Sequence, residues 1–210
     1  WRSMMQKILI HGSGHKADSW DKLISYMNND KDILCPNLSE ILNEKEASYD
    51  NLYNSFVEYC NKIDEKIDLC GLSLGGILAL NYAIDYPDKV EKLVLIGTPH
   101  KVPKVMFSIQ NIIFKFLPKK IFETMAFNKK DTFILGKTMK NIDFSNRVQN
   151  IKCQTLIICG ENDSANIKSA HYLAENIKNA KLKIMKNTGH IINEENPKEL
   201  SKLLIEFWKD

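Results

Sequence analysis

The 210-residue sequence has no apolar run approaching the ~20 residues that a membrane-spanning helix needs. Ile8-Leu9-Ile10 is too short for the hydrophobic region of a secretory signal. There is also no C-x-x-C pair. Cys35, Cys60, Cys70, Cys153 and Cys159 stand apart, four of them in apolar surroundings. An odd, unclustered set of this kind reads as buried, reduced thiols and favours a reducing compartment, the cytoplasm by default. Neither an internal repeat nor a Pro/Gly/Ser-rich linker interrupts the chain, so residues 1–210 are expected to form one domain. Trp1-Arg2-Ser3, ahead of Met4-Met5, reads as a leader remnant without a role. A formal net charge of +3 is too small to argue for a nucleic-acid partner.

What is present is an ordinary globular balance, 44% hydrophobic and 26% charged, arranged as an alternation. Strand-like runs stand at 7–10, 32–35, 67–70, 92–96, 155–159 and 182–185. Between them apolar residues recur at helical spacing. Examples are Trp20, Leu23, Ile24 and Met27, with Asp18 or Ser19 as the expected N-cap, then Leu52, Phe56, Tyr59 and Ile63, and last Leu200, Leu203, Leu204 and Phe207. Alternating strands and helices predict an α/β fold: a mostly parallel sheet of about six strands with helices on both faces. Residues 101–141 break the alternation and read as a helical insertion between two strands.

The sharpest chemical signal is Gly71-Leu72-Ser73-Leu74-Gly75, a G-x-S-x-G with a strand before it and a helix after. A serine on such a tight turn projects its hydroxyl clear of the sheet, and the flanking glycines leave room for close strand–helix approach. By itself the motif is also compatible with a chance glycine-rich turn. A serine hydroxyl needs a base, and the base needs an orienting group. Asp163 in Gly160-Glu-Asn-Asp163 and His190 in Asn187-Thr-Gly-His190 each follow a strand, in the order serine, acid, histidine. Glu161 is the rival carboxylate. His171 falls within a helical pattern, and His11 reads as a structural residue of its loop.

Directly after the first strand comes His11-Gly12-Ser13-Gly14. Acyl transfer needs two donors aimed at the developing oxyanion, and the N–H groups of Ser13 and Leu74 are the expected pair. The loop has neither a dinucleotide nor a P-loop spacing. With no H-E-x-x-H and no clustered Cys/His ligands, no metal or organic cofactor is expected.

HGSGHKADSW (11–20), GLSLGG (71–76), GENDS (160–164) and GHIINEENP (189–197) together resemble the α/β-hydrolase superfamily, more narrowly its small esterase-like members. The resemblance implies a Ser73–Asp163–His190 triad and Ser13 and Leu74 as oxyanion donors. It further implies that Trp20 packs on the early loop and that 101–141 is a cap. Three departures stand out. The usual pair of N-terminal strands is missing, residue 15 is His where a small residue is common, and the proline often found shortly after the acid is absent from Ser164-Ala-Asn-Ile167.

The segment 101–141 carries nine lysines against two acids, together with many apolar residues. An amphipathic lid is the plain reading, and peripheral contact with an anionic membrane is a sharper one. Gly12, His15, His100, Phe114 and Phe116 are the expected substrate-lining residues. The function expected is hydrolysis of small to medium apolar carboxylic esters. Thioester hydrolysis, acyl transfer, C–C bond hydrolysis or a non-catalytic binding role on the same fold stay open.

Overall fold

Alternate residues of each strand point to opposite sides, and the computed structural model, which describes residues 5–28, 31–102 and 119–209, shows both sides covered. The strands are β1 (Lys7–Ile10), β2 (Ile33–Leu34), β3 (Ile67–Leu72), β4 (Val90–Ile96), β5 (Gln154–Gly160) and β6 (Ala180–Met185). Among the described residues they form one six-stranded sheet, order β2-β1-β3-β4-β5-β6. Every pairing is parallel; Ile8, for instance, faces Leu34 on one side and Leu69 on the other.

On one face lie α2 (Leu38–Leu42), α3 (Tyr49–Cys60), α4 (Leu74–Asp85), α6 (Lys129–Met139) and α7 (Ile167–Asn176). Their apolar residues pack with Ile8, Ile10, Leu69, Leu93, Leu95 and Ile157. On the other face α1 (Asp21–Ser25) and α9 (Pro197–Lys209) bring Leu23, Leu200, Leu204 and Phe207 against Leu9, Cys70, Val94 and Ile158. The split follows strand periodicity residue by residue. Burying one such leucine or isoleucine contributes roughly 1.5–3 kcal/mol.

Local signals explain some helix boundaries. Ser48 accepts the Asn51 N–H at 3.3 Å and caps α3. Pro197 opens α9, where its missing N–H is no loss. At the first helical stretch the expected cap is absent. A 3₁₀ turn over Ala17–Trp20 precedes α1, and Lys16 stands at its cap position without a side-chain bond. Ser19 instead donates its hydroxyl to the Lys16 carbonyl at 2.8 Å. Trp20, fully buried, anchors this segment in the core between α1 and the sheet.

After β4 the chain leaves the sheet. The stems of the excursion meet where Lys101 bridges Asp143, with the Val102 N–H donating to Ile142 and the Phe144 N–H to His100. Helices α5 (Lys119–Glu123) and α6 lie in it. Phe127, Leu135, Met139 and Phe144 join the main core. This part of the excursion is therefore woven into the domain. All five cysteines are free; burial pushes the Cys35 and Cys159 thiols up to about 12 and Cys153 to about 11. Among the described residues no helix is long and apolar enough to cross a membrane.

Candidate active site

The order of the strands reverses at β1: the chain adds β2 on one side, then returns to place β3 on the other. Open α/β sheets bind ligands beyond the carboxyl ends of strands at such a point. The loop after β1 and the turn after β3 flank this reversal.

Ser73 joins β3 directly to α4 with φ 54° and ψ −110°, a backbone conformation that L-residues rarely adopt. Close approach enforces it. A Cβ on Gly71 would lie 2.2 Å from the Gly75 carbonyl oxygen, and one on Gly75 would lie 2.1 Å from that of Ile10. Only glycine at both positions lets α4 start this near the sheet. Leu74 is the first residue of α4, so its N–H has no acceptor within the helix.

The loop after β1 turns tightly, the His15 N–H donating to the Gly12 carbonyl at 3.1 Å, with Ser13 and Gly14 at the tip. A Cβ on Gly12 would lie 3.6 Å from the Ser73 Cβ, so this loop borders the serine. His11 is fully buried behind it. Its Nε2 accepts the Leu38 N–H at 3.0 Å, which leaves Nδ1–H to donate to the Gly12 carbonyl at 2.8 Å. Burial above all lowers its pKa, consistent with a neutral ring fixing the loop.

Asp163 follows β5, buried, and its Oδ2 accepts from His190 Nδ1 at 2.7 Å. Burial pushes this carboxyl up, but hydrogen bonds from His190 and Asn166 outweigh it and hold it below the ordinary range. His190 follows β6 with its ring partly exposed. Ser73 and His190 are each placed against the end of β4. The Ser73 N–H donates to the Ile96 carbonyl at 2.9 Å. At the next residue, Gly97, a Cβ would lie 2.9 Å from His190 Nδ1 and 3.2 Å from Asp163 Oδ2. Gly97 has φ +51°, so this position needs glycine for its backbone as well. The contact of Gly97 with a loop some ninety residues away leaves no local signal in the sequence.

The loop carrying His190 is tied from both sides. The Glu195 carboxylate accepts the Gly189 N–H at 2.6 Å and the Ile191 N–H at 3.2 Å. Glu161, the rival acid, accepts the Asn187 N–H at 2.9 Å. It thus supports the histidine loop, and Asp163 is the carboxylate on the ring. Asn193 in α8 (Ile192–Glu195) donates to the Ser19 carbonyl at 3.0 Å, joining this loop to the segment after β1.

The other sequence candidates fall as follows. His15 stands between the serine and histidine loops, its Nε2 3.5 Å from Glu194; burial above all lowers its pKa, with repulsion from His190 adding to this. His100 lies at the root of the excursion. Its Nδ1 is 3.0 Å from the Ser169 hydroxyl and its ring stacks on Tyr172 at 4.0 Å. Phe114 and Phe116 lie outside the described residues. Among the described residues no three or more His, Cys, Asp or Glu side chains cluster to hold a metal ion.

The fold and this constellation define an α/β hydrolase. Residues 8–130 match the α/β hydrolase fold family, and the chain belongs to it. It is 23% identical to a monoacylglycerol lipase of Bos taurus, over 95% of this chain and 74% of the relative. It is 27% identical to a 2-hydroxy-6-oxo-6-phenylhexa-2,4-dienoate hydrolase of Comamonas testosteroni, over 68% of this chain and 63% of that protein. A thermophilic esterase from Thermogutta terrifontis superposes with a TM-score of 0.78 at 18% identity, covering 99% of this chain and 90% of the esterase.

Proposed function

We propose that this chain is a serine hydrolase cleaving carboxylic esters of small to medium apolar acyl groups through an acyl-enzyme on Ser73. The observation that carries the reading is the 2.7 Å Asp163–His190 pair, whose ring abuts the Gly97 step beside the strained Ser73 turn. In the first step His190 Nε2 takes the Ser73 hydroxyl proton as the oxygen attacks the ester carbonyl. The Ser13 and Leu74 N–H groups stabilise the oxyanion, and ionised Asp163 stabilises the imidazolium. His190 then gives its proton to the departing alcohol. Water, deprotonated by the same ring, releases the acid and restores Ser73.

The monoacylglycerol lipase and esterase relatives support an ester substrate. The five free thiols fit a reducing compartment. A second reading, C–C bond hydrolysis at the same three residues, is favoured by the dienoate hydrolase relative.

A fluorophosphonate probe tests the serine. The parent protein is expected to label, and Ser73→Ala to lose the label; an unlabelled parent overturns the hydrolase reading. A panel of p-nitrophenyl esters against a 2-hydroxy-6-oxo-dienoate then separates the two substrate classes. Turnover of the dienoate alone would reverse the preference stated here.

A further inference from the structure

One residue outside the proposed triad bonds the Asp163 carboxylate at several points. Asn166, 5% exposed, immediately precedes α7. Its Nδ2 donates to both Asp163 oxygens at 3.0 Å each, and its backbone N–H donates to Oδ1 at 3.3 Å. The same Nδ2 lies 3.3 Å from His190 Nδ1. A carboxylate offers about four acceptor positions. His190 takes one of the four contacts and Asn166 supplies the other three. The amide orientation is fixed by charge, since the reverse would aim Oδ1 at an anion.

We infer that Asn166 is a positioning residue: it locks the rotation of the Asp163 carboxylate so that Oδ2 meets His190 Nδ1–H. The inference rests on the hydrolase reading. The physical need is specific. The terminal torsion of an aspartate is broad and roughly two-fold, so one hydrogen bond to a partly exposed ring would not fix it. The Asp163 side chain is 3% exposed, so water is poorly placed to replace the lost donors. Removing Asn166 would leave a buried anion under-bonded beside the base it must orient. Among the described residues, the other titratable groups near this cluster are Cys159 at the end of β5, His15, which interacts with His190 and lies beside Glu194, and Glu195, whose carboxylate accepts the N–H groups on either side of His190.

Two variants test this. Asn166→Ala removes the side-chain donor. For an activated ester, kcat is expected to fall about 10- to 100-fold with KM within about twofold, because misalignment costs rate rather than binding. Asn166→Asp keeps the shape and replaces the donor with a second carboxylate near the ring. The acid limb of the kcat/KM profile and the NMR titration of the His190 Cε1–H signal are both expected to move up by about one pH unit. A purely packing or capping role predicts a parent-like kcat for the isosteric Asp variant on the plateau above its shifted acid limb, and that result overturns the inference, which expects the plateau kcat to fall about 10-fold or more. A parent-like kcat in a folded Ala variant does the same. Should the Ala variant not fold, the Asp variant decides. The NMR titration needs no turnover, and fluorophosphonate labelling of the parent tests the hydrolase reading on its own.

Discussion

Ser73 and Asp68 both carry strain of a kind, one in the backbone and one in charge. A positive φ on a non-glycine residue costs on the order of 1–3 kcal/mol, and Ser73 holds φ 54° and ψ −110°, the mirror image of the extended region that glycine enters freely. Ser73→Gly is therefore expected to abolish fluorophosphonate labelling while raising Tm by a few degrees, measured by calorimetry. Asp68, in β3, is buried with Oδ1 unpaired, and burial pushes its carboxyl up to about 6, with Lys92 and Lys7 partly offsetting this. The folded protein thus binds this proton more tightly than the unfolded chain does. The penalty is absent below the ordinary value of 3.8, grows as pH rises, and is complete above about 6. Asp68→Asn is expected to stabilise the protein by on the order of 1–3 kcal/mol in urea melts at pH 7.5 and by almost nothing near pH 3.5.

Strand ends carry the site, and each loop beyond them serves a different part of it. β1 leads to the turn at Gly12, β3 to Ser73, β4 to Gly97 beside the His190 ring, β5 to Asp163 and β6 to His190. Gly97→Ala would place a methyl against both His190 and Asp163. It is expected to lower kcat/KM for an activated ester on the order of 100-fold and to cost about 1–3 kcal/mol in stability. Retained activity would show that the ring does not lie where described. The strand and helix pattern was legible because periodicity reports burial directly, and it located Ser73, Asp163 and His190 through strand-end motifs. Gly97, Asn166 and Glu195 were not legible in the same way. Gly97 acts on residues that folding brings near, and nothing in the adjacent sequence marks that. Asn166 and Glu195 instead bond residues three to six positions away, in turns whose inward-facing side chains periodicity does not single out. The expected cap at Asp18 or Ser19 failed for a local reason. Trp20 is drawn into the core, and the chain enters α1 through a 3₁₀ turn.

Across the whole molecule, the excursion between β4 and β5 contributes to the core. The sequence suggested an amphipathic lid; among the described residues, Phe127, Leu135 and Met139 are core residues shared with α3 and α4. Lys16, next to the loop after β1, also donates to the Glu123 carbonyl at 3.1 Å, so the excursion touches the rim where the site lies. Phe127→Ala is expected to destabilise the protein by about 3–5 kcal/mol and to lower Tm by roughly 10 °C. A lid that merely rests on the domain would lose substrate affinity and leave Tm unchanged.

The free cysteines have a practical corollary. Cys60, Cys70 and Cys159 are buried and Cys35 and Cys153 half-buried, and thiols held protonated by such burial make slow partners for electrophilic dyes at neutral pH. A new cysteine at exposed Lys130, on α6, would take up a fluorophore selectively against that quiet background. Movement of the excursion during turnover then becomes something that can be watched in light, without first stripping the native sulfur from the core.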